Sequence, residues 1–247
     1  MLWGVFSDVH SNLDALDAVL DALRKQGVKG YVCCGDVVGY GPQPNEVAER
    51  IASLKPLHVV SGNHDLAVIG KMDVTWFNDY AQAAALWTRE VLSPPARKFL
   101  ESLPARDVAD EFMVAHGSPR NPAEEYLLTR QQFLDNASLV RVSPCFVGHS
   151  HVTWCFLRDA NSMLGTRAIV VRDGQTVTVP AGVACIINPG SVGQPRDHDN
   201  RASCGVYDDE KRVFRLLRVP YDIPEVQKKM RAVALPELLV LRLSYGQ

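Results

Sequence analysis

The sequence lacks the features of a membrane protein and of a secreted, disulfide-stabilised protein. None of its apolar stretches approaches the ~18 residues that a membrane-spanning helix needs. Only six residues precede Ser7, which leaves no room for the charged segment and apolar core of a signal peptide. The six cysteines lie mostly within apolar runs without paired Cys-x-x-Cys spacing, which argues against a disulfide framework and a structural zinc site. We therefore expect a cytoplasmic protein with reduced thiols and no membrane partner.

An excess of charge of one sign is also missing. The chain has 26 Lys and Arg against 28 Asp and Glu, and they are spread without long single-sign runs. This balance does not indicate a nucleic-acid polymer as partner, so an anionic substrate must be held locally by a metal or an arginine. With 47% hydrophobic residues and no linker, repeat or low-complexity tract, we expect a single domain over residues 1–247.

The apolar pattern alternates between strand-like and helix-like periods, which is typical of an α/β protein. Strands are predicted at 2–6, 31–34, 57–60, 112–115, 145–147 and 184–187, with a closing hairpin over 203–219. Helices are predicted at 13–26, 45–54, 76–92, 129–139 and 224–243, the last broken at Pro236. The Asp173-Gly174 pair predicts a hairpin turn. We expect two packed sheets with outer helices.

One of these helices has a pronounced aromatic character. Four large side chains of the segment 76–92 are predicted to supply one apolar face: Trp76, Phe77, Tyr80 and Trp87. Such a face would bury the helix against the sheet.

Polar side chains that can bind a metal follow five of the predicted strands. They are Asp8 and His10, then Asp36, then Asn63, His64 and Asp65, then His116, and finally His149 and His151. Side chains two residues apart at a strand end can share a face, and ligands bind at the carboxyl ends of strands in open α/β sheets. Five of the seven histidines therefore indicate a shared metal centre rather than unrelated loop residues.

These residues resemble the motifs of the calcineurin-like metallophosphoesterase superfamily. Five motifs occur in chain order: Asp8-x-His10, Gly35-Asp36, Gly62-Asn63-His64-Asp65, His116 and Gly148-His149-x-His151. The surroundings Asn12-Leu13, Gly39-Tyr40-Gly41-Pro42 and Asn188-Pro189-Gly190-Ser191 are similar to a small prokaryotic, phosphodiesterase-like branch. The resemblance implies a four-layer αββα sandwich of two mixed β-sheets flanked by helices, with two divalent metal ions at the sheet edge.

The resemblance also implies a role for each ligand. Asp8, His10 and His151 would hold the first metal, Asn63, His116 and His149 the second, and Asp36 would bridge both. Nitrogen and oxygen ligands suit Mn, Fe, Zn, Ni or Co. Two such ions about 3.5–4 Å apart need one carboxylate between them, and a bridging water or hydroxide would attack phosphorus in line.

His64 matches a family histidine that binds no metal and would act as the catalytic residue. It would protonate the leaving oxygen or stabilise the transition state. In the phosphoprotein phosphatase branch, a second Asp and an Arg follow the bridging Asp, but here Val38-Gly39-Tyr40-Gly41 stands at those positions. The group that orients the histidine there is therefore missing, which argues against protein dephosphorylation. Asp65 would either take that part or cap the next helix.

Arg196 is the candidate substrate-binding residue. Its planar guanidinium matches the oxygens of a phosphate, although a lone loop arginine is often simply solvated. Tyr40 and Asn12 are further residues that could line the pocket.

The sequence predicts a metal-dependent phosphoesterase, in the first place a phosphodiesterase for a small nucleotide-like or cyclic phosphodiester. Two alternatives remain open. One is a binding scaffold that kept the fold and lost the chemistry, and the other is a dinucleoside polyphosphate hydrolase with the same centre and a different pocket. A scaffold has little use for the full ligand set and for His64, so these residues favour an enzyme with a small phosphoester substrate.

Overall fold

The computed structural model describes residues 1–247 and places two six-stranded sheets face to face, with helices outside both. The strands are β1 (Leu2–Phe6), β2 (Gly30–Cys33), β3 (Leu57–Val59), β4 (Arg106–Val108), β5 (Met113–Ala115), β6 (Cys145–Phe146), β7 (Thr153–Arg158), β8 (Thr166–Val170), β9 (Thr176–Thr178), β10 (Cys185–Pro189), β11 (Ala202–Asp208) and β12 (Val213–Val219). The helices are α1 (Leu13–Lys25), α2 (Pro44–Ala52), α3 (Asn63–Val68), α4 (Asp79–Val91), α5 (Pro94–Glu101), α6 (Arg130–Ala137), α7 (Ile223–Ala232) and α8 (Glu237–Tyr245).

Both sheets are mixed. The first has the strand order β3-β2-β1-β11-β12-β9 and the second β4-β5-β6-β10-β7-β8. Strands β1, β2 and β3 are parallel, as are β5, β6 and β10, and all other pairs are antiparallel. The expected αββα sandwich of two mixed sheets is thus confirmed. The predicted ligands lie in the segments that follow the carboxyl ends of the parallel strands β1, β2, β3, β5 and β6.

The core lies in layers that follow from side-chain alternation along the strands. Val5 of β1 belongs to the cluster between the sheets, together with Phe146, Tyr207 and Phe214. The next residue, Phe6, faces the other way and packs with helices α1 and α2. All six cysteines are buried and unpaired. None of the helices combines the length and apolar composition needed to cross a bilayer.

Two local predictions were wrong. The helix expected at 76–92 begins only at Asp79, because the Oδ1 atom of Asn78 accepts the N–H of Ala81 as an N-cap. Trp76 therefore precedes the helix and is 83% exposed, and Tyr80 is 47% exposed, so neither belongs to a buried apolar face.

The predicted hairpin at Asp173-Gly174 is also absent. Strand β8 before this turn belongs to the second sheet, whereas β9 after it pairs with β12 in the first. Gly174 has a φ of 75°, as a tight turn requires, but the turn leads the chain from one sheet to the other. A turn signal fixes the local backbone and not the partner of the following strand.

The carboxyl-terminal segment forms a helical hairpin, α7 and α8, which is broken at Pro236 as expected. Its buried side chains Val226, Met230, Leu239 and Leu243 pack with Tyr40 and with Ala81 and Ala84 of α4. The hairpin thus covers the loop that follows β2.

We expect Gly205→Ala to destabilise the fold by about 1–3 kcal/mol, because it overpacks the space between the sheets. A Cβ atom on Gly205 would overlap the ring of Phe214 and lie 2.9 Å from the carbonyl oxygen of Arg215. Denaturant unfolding of Gly205→Ala, Phe214→Leu and the double variant measures the coupling. The double variant should lose less stability than the sum of the single variants, and strict additivity would contradict this account of the packing.

Candidate metal centre

Loops from both sheets bring the predicted ligands into one buried cluster. Asp8 follows β1, Asp36 follows β2, and Asn63 begins α3 after β3; these three strands belong to the first sheet. His116 follows β5, and His149 and His151 follow β6, all in the second sheet. Together with His10, these side chains are all buried, Asn63 being the most exposed at 8%. The cluster therefore spans the line where the two sheets meet.

The backbone of these loops is unusual. Five of the predicted ligands have a positive φ, in the range 49–67°: Asp8, His10, Asp36, His149 and His151. For residues other than glycine such a conformation is uncommon and costs about 1–3 kcal/mol each. Strain of this kind persists only where the surrounding structure enforces it, and it concentrates at functional sites.

Hydrogen bonds between the loops enforce this conformation. The N–H of Asp8 donates to the carbonyl oxygen of Gly35 and the N–H of His10 to that of Asp36, both at 3.0 Å. The N–H of His149 donates to Asp8 Oδ1 at 3.0 Å, which ties the second sheet to the first. Each ligand loop is thus fixed by another ligand loop.

Glycine is required where the loops approach most closely. A Cβ atom on Gly148 would overlap Ser7 Oγ and lie 2.6 Å from Asp8 Oδ2. A Cβ atom on Gly62 would overlap the carboxylate of Asp36. These glycines directly precede His149 and Asn63, so they allow both ligands to reach the cluster.

The ligand atoms fall into two groups that share one carboxylate. One group is formed by Asp8, His10, Asp36 and His151, and the other by Asp36, His116 and His149. Within each group the ligand atoms lie within 4.8 Å of one another. Asn63 joins the second group, since its Oδ1 atom lies 3.0 Å from His116 Nε2.

The tautomers of three histidines follow from their hydrogen bonds. The Nδ1 atoms of His10, His116 and His151 contact the carbonyl oxygens of Val38, Cys34 and Gln194 at 3.2, 2.9 and 2.6 Å. A carbonyl only accepts, so each Nδ1 carries the proton and each Nε2 faces the cluster. His149 differs, because its Nδ1 faces the cluster, 3.2 Å from His116 Nε2.

This arrangement fits a cation. Burial holds the pKa of His10 and of His151 well below the usual range, so both rings are neutral. Their Nε2 atoms nevertheless lie only 3.1 Å apart, which brings two lone pairs face to face. Asp36 Oδ2 is buried 3.5 Å from His10 Nε2 and 3.3 Å from His116 Nε2. A divalent ion bound here would remove these conflicts, because it would accept lone pairs from several of these atoms at once.

The charges of the remaining groups agree with this interpretation. Burial raises the pKa of Asp8 to about 7 and would raise that of Asp36, but His116, His64 and His10 hold the pKa of Asp36 well below its usual range. Burial opposes protonation of His116, yet the charge of Asp36 raises its pKa to about 9. A proton on His116 therefore occupies the place that a metal would take.

His64 lies beside the cluster in an aromatic environment. Its ring centroid is 4.4 Å from that of Tyr40, 4.5 Å from Phe77 and 4.9 Å from His10. Burial lowers the pKa of His64 to about 4, against the opposing charge of Asp36. Its Nδ1 atom is buried without a hydrogen-bond partner.

Asp65 does not orient His64. Its Oδ1 atom accepts the N–H of Val38 at 3.0 Å, and its Oδ2 atom accepts the N–H of Gly62 at 2.9 Å. The second contact caps α3, and the first fixes the loop after β2. Of the two roles that the sequence left open for Asp65, the structure places it in the helix cap.

Arg196 lies near the cluster rather than in open solvent. Its Nη2 atom donates to Gln194 Oε1 at 2.9 Å and to the Tyr40 hydroxyl at 3.3 Å. The side chain of Asn12 hydrogen-bonds to neighbouring backbone. Its Oδ1 atom accepts the N–H of Ala15 and so caps α1, and its Nδ2 atom donates to the carbonyl oxygen of Gly193.

Two residues near the cluster carry no sequence signal of a site. The exposed Tyr126 stacks on His149 with ring centroids 3.8 Å apart. The ring of Phe77 lies 4.5 Å from that of His64. Each belongs to a polar loop or an amphipathic segment, and only the fold places it here.

Comparison with known proteins agrees with the geometry. The model of the calcineurin-like phosphoesterase superfamily domain matches residues 1–212. The chain is 38% identical to the uncharacterized protein MJ0912 of Methanocaldococcus jannaschii over 98% of this chain and 97% of the relative.

Solved structures show the same fold. A metallophosphoesterase from Sphaerobacter thermophilus is 39% identical, with a TM-score of 0.89 over 100% of this chain and 99% of that one. The Pyrococcus horikoshii OT3 protein PH1004 is 22% identical, with a TM-score of 0.79 over 100% and 98%, and shares the fold. The two groups of buried ligand atoms therefore stand in a protein of known type: this chain belongs to the calcineurin-like phosphoesterase superfamily.

Proposed function

We propose that this chain is a dinuclear metal-dependent phosphodiesterase that hydrolyses a small nucleotide-like or cyclic phosphodiester. The observation that carries the proposal is the position of Asp36 in both groups of ligand atoms. Its Oδ2 atom lies 3.5 Å from His10 Nε2 and 3.3 Å from His116 Nε2. Two neighbouring divalent ions need one carboxylate in that position.

The proposed ligands divide as the two groups do. Asp8, His10 and His151 would complete the first metal site, and Asn63, His116 and His149 the second. The donor set of neutral imidazoles, carboxylates and one amide oxygen suits Mn, Fe, Zn, Ni or Co. When bound, two such ions would activate water and stabilise the charge on the phosphate oxygens.

The other residues would position the substrate and handle the departing proton. The guanidinium of Arg196 would pair with a phosphate oxygen, since the two groups that accept its hydrogen bonds, Tyr40 and Gln194, are neutral. His64 would donate a proton to the leaving oxygen. An anionic phosphate beside the ring would raise the pKa of His64 against the effect of burial, and Tyr40 and Phe77 would exclude water from it.

A small substrate is favoured over a phosphoprotein. No carboxylate contacts His64 Nδ1, whereas a second Asp would stand there in the phosphoprotein phosphatase branch. The aromatic ring of Tyr40 and the hairpin of α7 and α8 occupy this side of the site instead. Exposed Tyr126 would offer a flat surface to a nucleobase on the opposite side.

We expect chelation to abolish turnover of bis(p-nitrophenyl) phosphate and Mn²⁺ or a similar ion to restore it, because the metal ions rather than a side-chain base would acidify the attacking water. Initial rates with and without a chelator, after removal of free metal, measure this effect. Turnover that persists in metal-free protein would contradict the mechanism. Inactivity with every divalent ion would favour a scaffold instead.

We expect Asp36→Ala to lose both metals and Asn63→Ala to weaken mainly the second. Asp36 has a role in both groups of ligand atoms, whereas Asn63 contacts only the second. Elemental analysis of folded variants gives the metal content, with His198→Ala as the control because this exposed histidine lies outside the cluster. Equal losses in the first two variants would contradict the assignment.

We expect the effect of His64→Ala to depend on the leaving group. General acid catalysis contributes about 10²–10⁴-fold where it is needed, so an alkyl ester should lose that much and a nitrophenyl ester far less. A series of esters with leaving groups of rising basicity, measured with metal content unchanged, tests this. Equal loss across the series would leave His64 only an electrostatic or positioning role.

A further inference from the structure

His149 lacks the hydrogen bond that holds each of the other three histidine ligands. The Nδ1 atoms of His10, His116 and His151 each contact a backbone carbonyl oxygen. Such an acceptor normally fixes the orientation of a metal-binding imidazole. The Nε2 atom of His149 is buried without a partner. Burial lowers the pKa of His149 to about 3, which the backbone of Glu124 opposes only weakly because it lies outside hydrogen-bond geometry.

Tyr126 makes the contact that takes the place of this hydrogen bond. Its ring stacks on the His149 ring, with centroids 3.8 Å apart and an angle of 24° between the planes. A flat contact at this distance restricts rotation of the imidazole, because a ring turned out of its plane would collide with the tyrosine. In this plane the Nδ1 atom of His149 lies 3.2 Å from His116 Nε2, at the second group of ligand atoms.

The neighbours of Tyr126 in the chain are anchored on both sides. The carboxylate of Glu125 accepts hydrogen bonds from Ser118 Oγ and, at 3.1 Å, from Asn136 Nδ2. Leu127 is buried and packs with helix α6. Tyr126 itself is 43% exposed, so its ring is held at the surface by the backbone and by the stack on His149.

We propose that Tyr126 is a positioning residue for the second metal site, where it holds the plane of the His149 ring so that Nδ1 faces the ion. This inference rests on the proposed function, since it needs a second metal ion. Tyr126 acts only through His149 and is not itself a ligand. The segment between β5 and α6 thereby contributes to the second site and not to the first.

A purely structural role for Tyr126 makes a different prediction. If the ring only fastens its own loop to the body of the protein, its loss would lower stability and weaken both metal ions alike. The positioning role predicts a loss confined to the ion that His149 would bind. It also predicts that any aromatic ring at position 126 suffices, because the stack and not the hydroxyl group makes the contact.

The test is a titration of Co²⁺ into metal-free protein, followed by the visible absorption of the bound ion. Asn63→Ala identifies the binding step that belongs to the second site. The matched variants are Tyr126→Ala, Tyr126→Phe and Leu128→Ala, and Leu128 serves as the control because it is 56% exposed in the same segment. Melting temperatures of the metal-free proteins show that each variant is folded.

We expect Tyr126→Ala to weaken the second ion by about 3–10-fold, which corresponds to the loss of one aromatic pair, and to change its absorption spectrum. The first ion should bind as in the wild type. Tyr126→Phe should restore the affinity and the spectrum of the second ion, and Leu128→Ala should leave both unchanged. Because the probe is the metal alone, a contact between Tyr126 and a substrate does not enter the measurement.

Three results would overturn the positioning role: an unchanged second affinity in Tyr126→Ala, an equal weakening of both ions, or a loss in Tyr126→Phe as large as that in Tyr126→Ala. Each of these, with two ions bound to the wild-type protein, would leave the proposed function intact. A wild-type protein that binds fewer than two Co²⁺ ions would contradict the dinuclear centre, and the role of Tyr126 with it.

Discussion

The seven predicted metal ligands are buried against one another where the two sheets meet, and the structure of their loops depends on how this crowding is resolved. His10 and His151 are the clearest case, because both are neutral and direct Nε2 lone pairs at each other across 3.1 Å. Burying polar groups that face one another without a donor between them is costly. Divalent cations would resolve the conflict, and their preference for nitrogen and oxygen ligands agrees with the donor types found here.

The fold is built to keep these groups together despite the cost. Five of the predicted ligand residues have a left-handed backbone conformation. Loops that follow strands of one sheet hydrogen-bond to loops that follow strands of the other. Gly62 and Gly148 allow the closest approaches. Backbone strain of this kind is concentrated at functional sites. It therefore connects the conformation of the loops to the proposed hydrolysis.

The sequence predicted which side chains the fold brings into one buried cluster, because metal chemistry confines candidate ligands to few residue types placed after strands. Asp36 and His116 are 80 residues apart in the chain, yet each was recognisable from its own strand end. The exposure of Trp76 and the crossing at Asp173-Gly174 were not, since periodicity does not fix where a helix begins or which sheet a strand joins. Tyr126 reaches the site only through packing, and no local pattern marks such a residue.

The central claim is that this cluster holds two metal ions that share Asp36. A crystal structure of the Mn²⁺-loaded protein, with anomalous data collected at the manganese edge, tests it most directly. The account predicts two peaks about 3.5–4 Å apart, with the carboxylate of Asp36 between them. One peak, or two peaks without Asp36 between them, would contradict the account.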